Sequence, residues 1–480
     1  MQRAFLTNLL LLLALNLLVK PFYILGIDAG VQRAVGTEAY GLYAALLSLG
    51  FLLNIVLDLG ITNYNTRHIA RHTPLMGKYL GGVAAVRMGL MLAYAALTVG
   101  LGIALGYRGE ALGLLGWLVL NQALVASILY LRSNLQGAQR FRQDSLLSVL
   151  DRALLIAGVG WLLWGRAGGA PFRLEWFVWA QTAAYGITLL VALALVRRLS
   201  GPVRVAWKPA FSWVVMKRSF PYALLILLMT FYYRIDTVML ERLLPDGAAQ
   251  AGIYYQGFRW FEALNMLGYL VAGLLLPMFA RLLKERHDAA PLAALAFRLV
   301  LAGSIAVAVL GTLRAEEVMG LLYRAHVAEA ARVLPVLLWS FVAVCATYVF
   351  GSLLTAGGDL RALNWMAAAG AVLNIALNAL LIPRYQAEGA AWAALCAQGG
   401  TALAQLVLAR RLHGVRGMAP LLLRGAAHAA LLVAAAIALR WLQWPLATAA
   451  AAFALAAMGS AWACGLLRRS DALALRSAQG

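Results

Sequence analysis

Runs of apolar residues, each closed by a cluster of glycine, proline or charged positions, recur from one end of the chain to the other. A helix needs about 20 such residues to cross a hydrocarbon core about 30 Å thick. The pattern predicts about fourteen membrane helices. The first six are Phe5–Ile27, Tyr40–Thr62, Leu80–Gly106, Leu112–Leu135, Leu146–Gly165 and Glu175–Val196. The next six are Ser219–Leu240, Ile253–Ala280, Leu292–Leu313, Val333–Ala356, Leu363–Ile382 and Ala390–Ala409, and a final pair covers Leu421–Leu439 and Leu446–Leu467. The connecting segments are short, so no soluble catalytic domain of about 100 residues fits between them. The fold class is all-α and polytopic.

Composition agrees. Of 480 residues, 63% are hydrophobic and 12% charged, which excludes an ordinary soluble domain. The net charge of +21 would suggest nucleic acid in a soluble protein; here its distribution over alternate loops explains it. With the N-terminus in the cytoplasm, about 22 Lys and Arg fall in one set of segments and about 10 in the other, so the positive-inside rule places both termini in the cytoplasm. Met1-Gln2-Arg3 and the apolar run after it resemble a signal peptide, but no small-residue cleavage site follows and a retained first helix is expected. Cys345, Cys396 and Cys464 lie in apolar runs and read as small core residues, not as disulfide or metal ligands.

The domain organisation follows from the longest linker and a weak repeat. The linker, Arg197 to Arg218, is rich in Arg, Lys and Trp and reads as an amphipathic connector on the anionic inner leaflet. It separates an N-terminal six-helix bundle (1–200) from a C-terminal one (219–412), with 201–218 between them and an accessory two-helix region and basic tail at 413–480. Across an offset of about 214–220 residues, Lys20 is echoed by Arg234, Asn63–His72 by Phe279–His287, and Leu135–Arg140 by Thr355–Arg361. Two even-numbered halves share one orientation, which implies two bundles facing a central cavity.

Charges within spans carry the candidate chemistry, because each costs roughly 2.5–3.5 kcal/mol on insertion scales and faces protein or water. They are Lys20, Asp58, Arg87, Asp151, Arg152, Arg234, Asp236, Arg259, Glu262 and Arg298. Arg259 and Glu262 have the spacing of one helix face; with Arg234 and Asp236 they could be structural pairs between the seventh and eighth helices or a ligand site. Lys20, Arg87 and Arg152 have only Asp58 and Asp151 as evident partners, and a surplus of cations facing a cavity would select an anionic substrate. Lys20-Pro21 sets a helix breaker beside a charge, whereas Pro221, Pro277 and Pro335 read as helix-end prolines.

Other chemistries lack their residues. Gly77-Lys78 lacks the upstream glycine and following hydroxyl of a phosphate loop. His68 and His72 have no H-E-x-x-H frame, so no metal site is expected, and no cofactor either. Glu316-Glu317 alone supports no glycosidic acid and base. A membrane sugar-lipid transferase or polymerase would need an acidic or histidine cluster that the sequence does not show.

Several short motifs in order then carry a family resemblance. They are Leu57-Asp58-Leu59-Gly60-Ile61-Thr62, Leu131-Arg132 through Gln136-Gly137-Ala138-Gln139-Arg140-Phe141, Tyr233-Arg234-Ile235-Asp236, Ala251-Gly252-Ile253-Tyr254, Leu373-Asn374-Ile375-Ala376-Leu377-Asn378 through Ile382-Pro383, and Glu388-Gly389-Ala390-Ala391. Over essentially the whole chain the sequence resembles Wzx-type polysaccharide flippases of the multidrug/oligosaccharidyl-lipid/polysaccharide exporter superfamily. The resemblance implies two six-helix bundles, two accessory helices and alternating access. It also implies translocation of polyprenyl-diphosphate-linked oligosaccharide (the O-antigen type) across the bacterial inner membrane, with membrane lipids and polysaccharide polymerase machinery as partners. On that basis Lys20, Arg87, Arg152, Arg234 and Arg259 are expected at the diphosphate and anionic sugars. Asp58, Asp236 or Glu262 is expected to couple movement to a proton or sodium gradient. A lipid-linked peptidoglycan precursor flippase and a multidrug exporter are the alternatives within the superfamily.

Overall fold

The computed structural model of the chain describes residues 18–62, 65–66, 69, 76–165, 171–200, 209–442 and 444–467. Residues 5–17 of the expected first helix, His68, His72, the first part of the linker (201–208) and the basic tail lie outside them. Among the described residues the secondary structure is helical, without strands, as the apolar pattern requires when backbone groups must be satisfied within each segment.

The helices are α1 (18–35), α2 (Thr37–Leu52), α3 (Met76–Ala104), α4 (Gly109–Gly137), α5 (Phe141–Gly160), α6 (Leu174–Ser200), α7 (Pro209–Leu243) and α8 (Gly247–Lys284). After them come α9 (Ala290–Leu313), the short α10 (Ala315–Leu322) and α11 (Val327–Gly357). The helical stretch Leu360–His413 would be about 80 Å long at 1.5 Å per residue if straight. It is not straight: Gln386 has φ 53° and ψ −132°, and the chain folds back into α12 (360–385) and α13 (387–413). A Cβ on Gly389 would collide with the Leu381 carbonyl oxygen, and Gly370 faces Thr401, which is the register of an antiparallel hairpin. Helices α14 (Met418–Trp441) and α15 (Leu446–Ala463) complete the chain.

Eleven helical stretches among the described residues are long and apolar enough to span a membrane, with Leu360–His413 as one of them. The first two expected spans are the irregular ones. Pro21 removes a backbone donor, and Tyr23–Asp28 is wound as a π-helix, so α1 is irregular where expected and continues to residue 35, eight residues past its expected end. The second span does not run unbroken from Tyr40 to Thr62: α2 ends at Leu52, Asn54–Leu57 is a 3-10 turn, and Leu59 and Gly60 take positive φ of 43° and 81°.

Smaller differences also have local causes. Because α8 and α11 extend beyond their expected bounds, Pro277 and Pro335 lie inside helices, not at their ends. Cys345 is buried as expected, but Cys396 is exposed and Cys464 half-buried; in a membrane protein an apolar run has a lipid side as well as a core side. The repeat between Leu135–Arg140 and Thr355–Arg361 is visible in the backbone. Arg140 N–H donates to the Leu135 carbonyl (2.8 Å) and Asp359 N–H to that of Leu354 (3.0 Å), and Gln139 and Gly358 both take positive φ. Both are helix-ending turns of the same kind.

The chain divides into two compact units, Met1–Tyr255 and Gln256–Gly480. The sequence expectation places a division at 201–218, but the seventh helix packs with the first unit. Helix α2 lies along α7. The first turns of α8 meet α2 so closely that a Cβ on Gly41 would collide with the Ala248 carbonyl oxygen and one on Gly252 with that of Thr37. Small residues let helix backbones approach in this way. Within the second unit, α14 and α15 pack on α9: Gly425 faces Leu301, and the buried His428 contacts the Ala302 carbonyl (3.3 Å) and Ser460 Oγ (3.0 Å).

Candidate functional site

The intramembrane charges of the first unit form three groups. One lies at the break after α2. Asp58 is in the turn, not in a helix, and caps the helical segment that follows: Thr62 N–H donates to its Oδ1 (3.1 Å), as does the Thr62 hydroxyl. The same carboxylate accepts from Arg87 Nη1 at 2.8 Å. Arg87 Nη2 donates to the Ala126 carbonyl (2.8 Å), and its guanidinium lies 4.9 Å from the Tyr130 ring centre. Arg87 is 2% exposed; its charge ties α3 and α4 to the turn.

A second group joins α1, α5 and α6. Arg152 lies 4.7 Å from the centre of the Tyr23 ring and 5.8 Å from that of Tyr185, donating to the Tyr185 hydroxyl at 3.0 Å. Asp151 stands 3.8 Å away, and Lys20 lies within electrostatic range of Arg152 and Asp151. Lys20 and Arg152 are half-buried, and Arg132, itself paired with Asp144 at 2.7 Å, also lies within electrostatic range of Lys20. Two aromatic faces support the Arg152 guanidinium.

The third group fastens α7 to its neighbours. The half-buried Arg234 lies 4.5 Å from the Phe51 ring centre of α2 and donates to the Tyr255 hydroxyl of α8 at 3.1 Å. Asp236, 1% exposed, accepts from the Tyr254 hydroxyl at 2.9 Å. Adjacent tyrosines of α8 therefore hold the two charges of Arg234-Ile235-Asp236. The contacts of Arg234 and Asp236 with the eighth helix include these two tyrosine hydroxyls.

Two buried carboxylates escape the sequence reading: Asp144, 5% exposed and 2.7 Å from Arg132 Nε, and Asp28. Asp28 is 1% exposed and accepts from the Tyr40 hydroxyl at 2.5 Å, while Tyr40 and Tyr255 approach with ring centres 6.0 Å apart. Hydropathy ends the first helix at Ile27 and so leaves this residue outside the span; the π-helical turns carry it inside. A set of tyrosines at 23, 40, 43, 232, 233, 254 and 255 is the available signal, since buried hydroxyls seek polar partners.

In the second unit, Arg259 and Glu262 form the ion pair their spacing predicts, and Arg259 is 6% exposed. Arg298 is buried in α9. The structure thus places Arg87 and Arg259 in buried ion pairs. Lys20, Arg152 and Arg234 are half-buried cations, the two arginines lying against aromatic rings. Among the described residues no three His, Cys, Asp or Glu side chains come together to hold a metal. What these groups can do is bind an anion and move charge within low-dielectric walls.

Comparison with known proteins gives the geometry a context. Residues 5–283 match a family described as "Polysaccharide biosynthesis protein". No curated protein sequence matches the chain. Among solved structures, the chain is similar to the lipid II flippase MurJ in an inward closed conformation, with TM-score 0.70 and 13% identity over 92% of this chain and 96% of that one. It is also similar to a mutant of the Vibrio cholerae MATE transporter VcmN, with TM-score 0.58 and 16% identity over 85% of this chain and 97% of that one. A transporter of the MOP superfamily from Pyrococcus furiosus gives TM-score 0.53 and 15% identity over 85% and 94%. At such identities the likeness is one of fold.

Proposed function

Because the chain belongs to the polysaccharide biosynthesis protein family, we propose that it flips polyprenyl-diphosphate-linked oligosaccharide repeat units from the cytoplasmic to the outer leaflet of the bacterial inner membrane. The observation that carries this reading is the cluster of half-buried cations inside the first unit, Lys20 and Arg152 beside Asp151, with Arg132 in electrostatic range of Lys20 and Arg234 on α7. A diphosphate would be held by the planar forks of Arg152 and Arg234 and by the Lys20 ammonium. Arg87 and Arg259 each hold their helix through an acidic partner. The isoprenoid tail stays in the bilayer.

Translocation proceeds by ion-coupled alternating access without covalent chemistry. The coupling role falls to a carboxylate among Asp58, Asp236 and Glu262, each buried or half-buried within the spans beside a hydrogen-bonding partner. Both termini lie in the cytoplasm, following the distribution of Lys and Arg.

The test is complementation of a bacterium lacking its own O-antigen flippase. Restored surface polysaccharide with the wild-type chain, and its loss with Arg234→Gln at equal membrane expression, are expected. In the native host, deletion should cause lipid-linked oligosaccharide to accumulate inside. Accumulation of a peptidoglycan precursor would move the substrate to that class, and no accumulation of either would overturn the flippase reading in favour of a drug exporter. Normal polysaccharide with Arg234→Gln would overturn the cation assignment.

A further inference from the structure

The first unit carries a cavity that none of the charges above touches. It measures about 650 Å³ and opens between the α1–α2 corner, the first turns of α4 and the entry to α6. Helix α6 ends in Arg197 and Arg198, about 35 Å along its axis from its first turn at 1.5 Å per residue. The cavity therefore lies at the end of the unit away from that basic terminus. On the orientation proposed above this is the outer face.

Its lining is mixed in a particular way. Trp117 and Trp179 meet edge to face, with ring centres 6.5 Å apart and an interplanar angle of 64°, yet 42% and 49% of their surfaces stay exposed. Phe172 continues the aromatic wall. Around it stand three charged groups: Arg173 and Glu175, 3.2 Å apart in a solvent-exposed pair, and Glu110 in the first turn of α4. Glu110 is exposed and makes no hydrogen bond or ion pair with any described residue. Interface tryptophans commonly anchor a helix in the headgroup region; here two of them line a concavity beside carboxylates and a guanidinium.

We propose that this cavity is a second saccharide-binding site, on the outer end of the N-terminal unit, for the oligosaccharide part of the translocated molecule. The chemistry is that of a sugar ring: its C–H face covers an aromatic plane, and its hydroxyls donate to carboxylates and accept from a guanidinium. An acyl chain would leave the three charged groups without partners, and a phosphate would meet two carboxylates against one arginine. The volume falls within the range of small-ligand pockets, about 300–1,000 Å³, enough for two or three linked sugar rings. The site takes the glycan after its diphosphate has left the cationic groups, so the inference rests on the flippase reading.

The test uses the full-length protein in phosphatidylcholine nanodiscs. The probe is the neutral oligosaccharide released by mild acid from the source bacterium's surface polysaccharide, followed by saturation-transfer NMR and tryptophan quenching. Wild type should bind. Trp117→Ala/Trp179→Ala should weaken binding by about tenfold, the scale of losing aromatic contacts. Glu110→Gln, at an exposed side chain, should weaken it by about twofold to fivefold, and Arg281→Gln, at an exposed pair outside both sites, should bind like wild type. Three results would overturn the site: no binding to the wild type, equal binding to the tryptophan variant, or an equal loss of binding in Arg281→Gln. Any of these alongside successful complementation sinks the outer site and leaves the flippase reading standing; failed complementation with no accumulated precursor removes the reading itself.

Discussion

The corner formed by Asp58, Arg87 and Ala126 and the α12–α13 hairpin both bury polar groups within membrane helices, but with different chemistry. The corner holds a full charge pair, with the guanidinium shared between a carboxylate and a backbone carbonyl. The hairpin buries Asn374, Asn378, Gln398, Thr401 and Gln405, all neutral, with Asn378 donating to Asn374 at 3.1 Å and small residues such as Gly370 letting the two helices close. An ion in low dielectric depends on one specific partner, whereas a neutral amide tolerates several. The first unit therefore carries most of the described charge that could act on an anion, while the hairpin serves as scaffold.

The largest test of that contrast is Arg87→Ala. It leaves Asp58 without its guanidinium and should cost about 3–5 kcal/mol, read as a lower melting temperature in detergent. Pairing Arg87→Met with Asp58→Leu should recover most of the loss; if the double variant melts no higher than Arg87→Ala, the corner is not held by the ion pair. Gly41→Ala comes next. Its Cβ would collide with the Ala248 carbonyl, and overpacking of this kind costs about 1–3 kcal/mol, visible as aggregation in fluorescence-detected size exclusion. Gly303→Ala is the matching control, since a Cβ there meets nothing within 4 Å.

In the hairpin, Asn374→Leu removes a neutral hydrogen bond and should cost only about 1 kcal/mol. A loss as large as that of Arg87→Ala would erase the distinction between the two regions. The smallest effect is expected for Arg281→Gln. Its exposed pair with Glu285 (2.9 Å) holds that carboxyl below its ordinary range, so its contribution is present above that range and fades on acidification. Being solvent-screened, it should leave the melting temperature unchanged at neutral pH.

Much of this is legible in the sequence. The many apolar spans, the helix-ending turns at Gln139 and Gly358, and the Arg259–Glu262 pair follow from hydropathy, turn residues and helical spacing, all local rules. The partner of Arg87 is one of the two carboxylates that the sequence offers it. Asp28, the break after Leu52 and the tyrosine partners of Arg234 and Asp236 are not legible. The π-helix shifts the first span's register beyond what period 3.6 predicts, and an apolar run conceals a turn when leucines flank it on both sides.

The sequence by itself determined that the chain is an all-α membrane protein of many spans, with its ionised groups concentrated in the first eight helices, because burial of backbone in lipid admits few solutions and each charge there is costly. Tertiary structure alone decided which charges on different helices pair with each other. Arg87 and Arg152 look alike in sequence, each an arginine in an apolar run, yet one is sealed in an ion pair and the other stands half-buried between two tyrosine rings. That difference depends on which side chains from distant helices arrive within about 4 Å, where Coulomb attraction in a low-dielectric interior becomes decisive, and no local pattern encodes it.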